Sequence, residues 1–329
     1  MVSLNTNIQY LELSGCIYNA SGPLCTTNEE LTNLNNSDSC CVLTKSTTLE
    51  KRIGNSLPRY YDNQYGSINS MGLPNNGINY YLDISSNITS PYFISVCGLT
   101  LDENIDIINN IFNYILKNEN EKYLGNISGI EINLSCPNII GKGQLAYNFI
   151  DMYAFLSNIF KTINKFRFID IKIPLIGVKL PPYFELNHFD EVSDILKQFP
   201  IDFITCINSI GNGLIVDPAK EQIVIKPKDG IGGIGGLYVK PTGLSNVYNF
   251  YNVFNKKNIN IDIIGCGGIS SGSDIFEYIL CGAKCVQVGT HLYKNGVNIF
   301  KELSNELIEI MESKNYKSLN DFYGKIQIL

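Results

Sequence analysis

The chain of 329 residues has no tryptophan and two histidines, His188 and His291. That leaves little material for imidazole-built metal sites or histidine-centred acid–base dyads. Charged residues make up 17%, and the balance is acidic, with a net charge of −6 and a pI near 5.1. A nucleic-acid surface needs clustered Lys and Arg, so that class is excluded. No apolar run approaches the length that spans a bilayer, and Met1-Val2-Ser3-Leu4-Asn5 carries no basic-then-apolar leader. The expectation is a cytoplasmic protein without a membrane partner. The ten cysteines include no C-x-x-C pair and show no framework spacing. They read as reduced thiols, most of them small buried hydrophobes. With 44% hydrophobic residues there is ample material for a core.

What is present is alternation. Short β-branched or apolar runs at 16–19, 41–45, 92–96, 130–135, 176–180, 203–208, 261–266 and 285–289 read as strands. Helical spacing fills 102–117, 148–166, 188–198, 242–255, 272–281 and 297–313. Parallel strands need helical crossovers, so eight of them predict an α/β fold, a single (β/α)₈ TIM barrel over residues 1–329. The rival, an open doubly wound sheet, is weakened because no G-x-G-x-x-G follows the first strand. Two connections, 50–90 and 209–240, are too long for simple loops. Each follows a strand, which puts it over the C-terminal mouth where barrel active sites are built.

Chemistry concentrates at strand ends. Ile130-Glu131-Ile132-Asn133-Leu134-Ser135-Cys136-Pro137-Asn138 carries a cysteine between two asparagines. Amides there, with Asn208-Ser209 after the sixth strand and Asn69 in the long connection, suit a flat ligand of alternating N–H and C=O groups. Lys45 and Lys179 each close a strand. An ammonium there would stabilise negative charge on a reduced flavin near N1 and the C2 carbonyl. Gly267-Gly268 follows the seventh strand and Gly289-Thr290 the eighth, the usual place for a phosphate in this fold. The plain alternatives are tight turns for the glycines and snorkelling for the lysines. Cys40, Cys41, Cys206, Cys266, Cys281 and Cys285 read as packing. His188 at a helix start and His291 after the phosphate turn read as core or surface residues.

The ordered motifs resemble the class 1A, fumarate-linked dihydroorotate dehydrogenases over essentially the whole chain. They are Asn19-Ala20-Ser21-Gly22, Thr44-Lys45-Ser46, Ser67 through Asn75, Asn133 through Asn138, Gly177 through Phe184, Asn208 through Gly213, Lys226 through Gly236 and the two glycine turns. The resemblance implies FMN as cofactor, oxidation of dihydroorotate to orotate in pyrimidine synthesis, and fumarate reoxidising the flavin to give succinate at the same site. It also implies a homodimer. By match, Cys136 takes the C5 proton while the C6 hydride passes to flavin N5. Substrate contacts carried over are Lys45, Asn69, Ser70, Met71, Gly72, Leu73, Asn133, Asn138, Asn208 and Ser209. FMN contacts are Ser21, Lys45, Ser46, Asn133, Lys179, Ile207, Gly236, Gly267, Gly268, Gly289 and Thr290. A cysteine base separates this class from the membrane-anchored one, which resembles it but uses serine.

One departure stands out. Where the family reads Asn-Val-Pro-Gly-Lys-Pro-Gln, this chain has Asn138-Ile139-Ile140-Gly141-Lys142-Gly143-Gln144, and both prolines are gone. Proline restricts the open ensemble of a loop, so the expectation is a lid that closes at higher entropic cost. Three other readings stay open: an NAD-linked enzyme with an iron–sulfur partner subunit, a phosphate-binding barrel without redox chemistry, and a degenerate barrel retained for binding or assembly.

Overall fold

The computed structural model describes residues 2–118, 127–135, 143–167, 169 and 173–329. Its largest sheet has eight strands, each short and almost entirely apolar: Ile17–Asn19 (β1), Val42–Leu43 (β2), Tyr92–Val96 (β3), Ile127–Asn133 (β4), Leu175–Leu180 (β5), Phe203–Cys206 (β6), Asp262–Cys266 (β7) and Cys285–Val288 (β8). All ladders within it are parallel, in the order β1-β8-β7-β6-β5-β4-β3-β2. Strands buried on both faces lose the alternation of a half-exposed sheet, and these read as continuous apolar runs for that reason. The α/β barrel expected from the sequence is the fold observed.

The order leaves β1 and β2 as the two ends, and a side chain closes the seam between them. The Asn19 Oδ1 atom accepts from the Leu43 N–H at 2.9 Å, and its Nδ2 donates to the Leu43 carbonyl at 2.6 Å. The fully buried amide therefore does for these two strands what a backbone pair does elsewhere. Below it, the Cys40 N–H reaches the Ile17 carbonyl at 2.9 Å. Replacing Asn19 by Leu leaves both Leu43 backbone groups buried without that partner, each at about 1–3 kcal/mol. The expected loss is about 2–6 kcal/mol in a urea titration, and a change below about 0.5 kcal/mol would show that the seam is held by other contacts.

Helices Leu101–Asn118, Phe149–Arg167, Leu186–Leu196, Lys240–Lys257, Gly272–Leu280 and Ile299–Ser313 occupy the six expected places. Three shorter ones, Asn28–Asn35, Ile78–Ile84 and Thr290–Asn295, fall where no helical period is legible over so few residues. At the N-terminal end of the barrel the hairpin Thr6–Ile8/Leu11–Leu13 packs Ile8 and Leu13 against Tyr18, Phe93, Leu175 and Phe203. At the opposite end the two long connections pair with each other. Ile210–Gly213, Gly232–Gly235, Gly66–Asn69 and Tyr60–Asn63 make an antiparallel four-stranded sheet over the mouth. Among the described residues no helix is long and apolar enough to cross a membrane.

Candidate active site

The strand ends and the small sheet enclose a cavity of about 450 Å³. Its floor comes from the barrel: Lys45 after β2, Asn133 ending β4, Lys179 in β5, Ile207 and Asn208 after β6, Cys266 ending β7 and Gln287 in β8. Its walls come from Ser21, Gly22, Ser67, Asn69 and residues 71–74, facing Gly235, Gly236, Gly267, Gly268, Gly289 and Thr290. Parallel strands direct their C-terminal ends, and the loops that leave them, to one face.

A linked set of amides and hydroxyls runs along one side. The Asn133 Oδ1 atom accepts from the Ser135 N–H at 3.1 Å and from its hydroxyl at 3.2 Å, while Asn133 Nδ2 donates to Ser46 Oγ at 3.2 Å. Asn208 Nδ2 donates to Ser135 Oγ at 3.0 Å, and Asn208 Oδ1 accepts the Ser209 N–H at 2.7 Å. Ser46 Oγ stands 3.0 Å from Ser21 Oγ and 2.9 Å from Ser95 Oγ. These bonds fix both amide orientations, so the groups that remain toward the cavity are preset rather than adaptable. Asn69 is held from the other side by a 3.1 Å bond from its Nδ2 to the Gly233 carbonyl.

Two ammonium groups are buried beside the cavity. Lys45 is 8% exposed and donates to the Gly22 carbonyl at 3.0 Å. Lys179 is 5% exposed, donates to Gln287 Oε1 at 2.9 Å and lies 3.9 Å from Cys266 Sγ. Burial works to strip its proton, but the Cys266 sulfur and the Glu131 carboxylate, with less from Cys25, outweigh this and raise its pKa above the ordinary lysine value. Neither lysine snorkels to solvent.

The far wall is rich in glycine, with Gly235, Gly236, Gly267, Gly268 and Gly289 all lining it. Gly268 follows β7 with φ +72°, and a Cβ there would lie 2.6 Å from Lys240 Cβ and 2.9 Å from the Gly236 carbonyl oxygen. The backbone is thus bare where the turns after β7 and β8 meet the Gly236 turn. The neighbouring framework is pinned. Tyr278 donates to the Gly267 carbonyl at 2.7 Å, and Lys240 pairs with Asp274 at 2.5 Å and Glu277 at 2.8 Å. Thr290 Oγ1 meets Ser67 Oγ at 3.0 Å, tying the β8 turn to the first long connection.

A family model described as dihydroorotate dehydrogenase matches residues 3–311. The chain belongs to the dihydroorotate dehydrogenase family. Among its curated relatives is the dihydroorotate dehydrogenase A (fumarate) of Lactococcus lactis subsp. cremoris, 47% identical over 333 residues, 99% of this chain and 100% of that one. The protein of the same name from Lactococcus lactis subsp. lactis is also 47% identical, with the same shares covered. Among solved structures, DHODH of Eimeria tenella superposes with a TM-score of 0.79 in its ferulenol complex and 0.80 in its ligand-free form. Sequence identities are 19% and 17%, and the alignments cover 98% of this chain and 88% and 91% of those. At that identity the likeness speaks for the fold.

Family motifs that lie far apart in sequence meet at this cavity. Ser21, Lys45, Ser46, Asn69, Met71, Gly72, Leu73, Asn133, Lys179, Ile207, Asn208, Ser209, Gly236, Gly267, Gly268, Gly289 and Thr290 all line it. Ser70 is fully buried and is not among the lining residues; its backbone N–H is bonded to the Arg59 carbonyl at 2.9 Å. Cys136 and Asn138 lie outside the described residues, as do all but Gly143 and Gln144 of the loop that lacks the family's prolines. Cys266, read from the sequence as packing, is buried but also lines the cavity beside Lys179. His291, half-buried, lines it too, and burial lowers its pKa. Gln287, Tyr60, Tyr65 and Tyr293 are further lining residues that no motif in the sequence singles out.

Proposed function

We propose that this chain, as one domain over residues 1–329, oxidises dihydroorotate to orotate with bound FMN, and that fumarate takes the electrons. The observation that carries this reading is the meeting, in a member of this family, of two buried ammoniums, a preset amide pair and a bare glycine wall in one cavity. When bound, the flavin supplies a two-electron acceptor whose N5 takes a hydride and whose N1–C2 edge carries the resulting charge. The donor set fits that group. Lys179 and Lys45 offer positive charge without competing solvent, and Ser21, Ser46 and Asn133 offer polar contacts. Gly267, Gly268, Gly289 and Thr290 offer backbone N–H groups to a phosphate.

On the substrate side, Asn69, Asn133, Asn208 and Ser209 present donors and acceptors to the ring and carboxylate of dihydroorotate, and the segment Ser70 through Leu73 and Asn138 complete that set. Cys136, which follows Ser135 in the chain, is the base that removes the C5 proton. Cofactor identity, a homodimer and a cytosolic location are part of the same reading. Steady-state assays with fumarate, NAD, quinone and oxygen test it. Fumarate should be the preferred acceptor; preference for NAD with an added iron–sulfur subunit would favour the NAD-linked reading. A colourless protein that cannot be reconstituted with FMN would favour a barrel without redox chemistry.

Two substitutions probe the glycine turn after β7 and the loop that lacks the family's prolines. Gly268→Ala puts a methyl group against Lys240 and the Gly236 carbonyl in a backbone conformation that L residues rarely adopt. Such strain costs about 1–3 kcal/mol, so FMN affinity in a fluorescence titration should fall roughly tenfold or more. An unchanged dissociation constant would remove this turn from the phosphate site. Gly143→Pro restores a family proline at a position where a Cβ meets no atom within 4 Å. A gain of about 0.4–1 kcal/mol should lower the apparent KM for dihydroorotate by roughly two- to fivefold. An unchanged KM would make the missing prolines neutral.

A further inference from the structure

The barrel interior beneath the cavity holds a carboxylate that the reaction does not use. Glu131 sits in the middle of β4 and is fully buried. Its Oε2 accepts from Thr205 Oγ1 at 2.8 Å and from Gln287 Nε2 at 2.7 Å, while Oε1 has no hydrogen-bond partner among the described residues. Glu131 does not line the cavity. An isolated buried carboxylate is expensive, and a position kept at that cost needs a counter-charge.

The counter-charge is Lys179, reached through one amide. Gln287 is 1% exposed, with Oε1 2.9 Å from Lys179 Nζ and Nε2 2.7 Å from Glu131 Oε2. An ammonium can only donate, and a carboxylate with two donors on one oxygen acts only as an acceptor, so this amide has one permitted orientation. The dipole of Gln287 is thereby locked between the two charges. Two of the three Lys179 donors are directed at Gln287 and Cys266, which leaves one for the cavity. The other titratable groups around Lys179 are the thiols Cys25, Cys206 and Cys266. Burial raises all three above the ordinary thiol value, which favours the uncharged thiol, and among the described residues Glu131 is the carboxylate bonded into this set. Tyr18, 3.3 Å from Gln287 Nε2, is likewise held neutral by burial.

We propose that Glu131, acting through Gln287, is the positioning residue that keeps Lys179 charged and aimed into the cavity, and so sets how readily a flavin bound there accepts electrons. This rests on the flavin reading of the cavity, and it makes a prediction whose sign is informative. A bystander carboxylate disfavours negative charge nearby, so its removal would make a bound flavin easier to reduce. A positioning carboxylate does the opposite, because without it the Lys179 ammonium loses its fixed place and one of the charges that hold its proton.

The test is the midpoint potential of the bound flavin in the holoenzyme, measured by dye equilibration for the parent protein, Glu131→Gln, Glu131→Asp and Gln287→Met. Glu131→Gln should lower the reduction equilibrium at least about tenfold, which is about 30 mV for a two-electron couple. Glu131→Asp should recover part of that loss, and Gln287→Met, which keeps both charges and removes the amide between them, should also lower it. In a Lys179→Met background Glu131→Gln should lower it no further. A potential unchanged or raised by Glu131→Gln overturns the proposal. If Glu131→Gln does not load flavin, Gln287→Met decides by the same criterion. Failure of both to fold would make the network a folding element and equally overturn it. A parent protein that binds no flavin would end the flavin reading instead, so the two failures are distinct.

Discussion

Cys136→Ala is expected to keep its FMN and to lose about 10²–10⁴-fold in dihydroorotate oxidation, the usual contribution of a general base. In the proposed reading the thiolate acts on the substrate's C5 proton and not on the cofactor, so the two properties should separate. The chain reaches Cys136 directly from Ser135, whose hydroxyl and N–H are bonded to Asn133 and Asn208. That anchoring fixes Ser135, the residue before the proposed base. Cys136→Ser should retain a trace of turnover that rises with pH, since a hydroxyl is a far weaker base near neutrality. Steady-state rates at saturating dihydroorotate, with flavin content read from absorbance, decide the matter. Near-normal turnover in Cys136→Ala would remove the cysteine from the chemistry.

Lys179→Ala is expected to slow flavin reduction by about 10²-fold or more, the scale of removing one preorganised charge-stabilising donor. Dihydroorotate binding should change far less, because in the proposed reading the ammonium acts where negative charge arrives during the reaction. Its fixed place follows from the 2.9 Å bond to Gln287 and from a site with 5% exposure. Stopped-flow reduction under anaerobic conditions separates the rate from the binding term. An unchanged limiting rate with FMN bound would place Lys179 outside the electrostatic environment of the ring.

Much of this is legible in the sequence because a barrel writes itself plainly. Eight apolar runs with crossover-length spacing specify a parallel sheet, and residues at the ends of such runs must share one face. Lys45, Asn133, Lys179 and Asn208 follow from that rule alone, without any resemblance. The four-stranded sheet over the mouth does not, because its strands Ile210–Gly213 and Gly232–Gly235 are too glycine-rich to carry a period-two pattern. Asn19 is visible only as part of a motif; its role at the seam depends on the two end strands of the ladder meeting in space. Glu131 and Gln287 do carry a signal. A charged or amide side chain inside a run such as Ile130-Glu131-Ile132 or Val286-Gln287-Val288, in a sheet buried on both faces, has to find a partner in the interior.

The central question is whether dihydroorotate delivers electrons to a flavin in this cavity. The most direct measurement is anaerobic mixing of the purified holoprotein with dihydroorotate while the flavin band at about 450 nm is followed. The expected result is rapid, stoichiometric bleaching, reversed on adding fumarate, with bleaching lost in Cys136→Ala. A flavin band that persists in the presence of excess dihydroorotate would contradict the account.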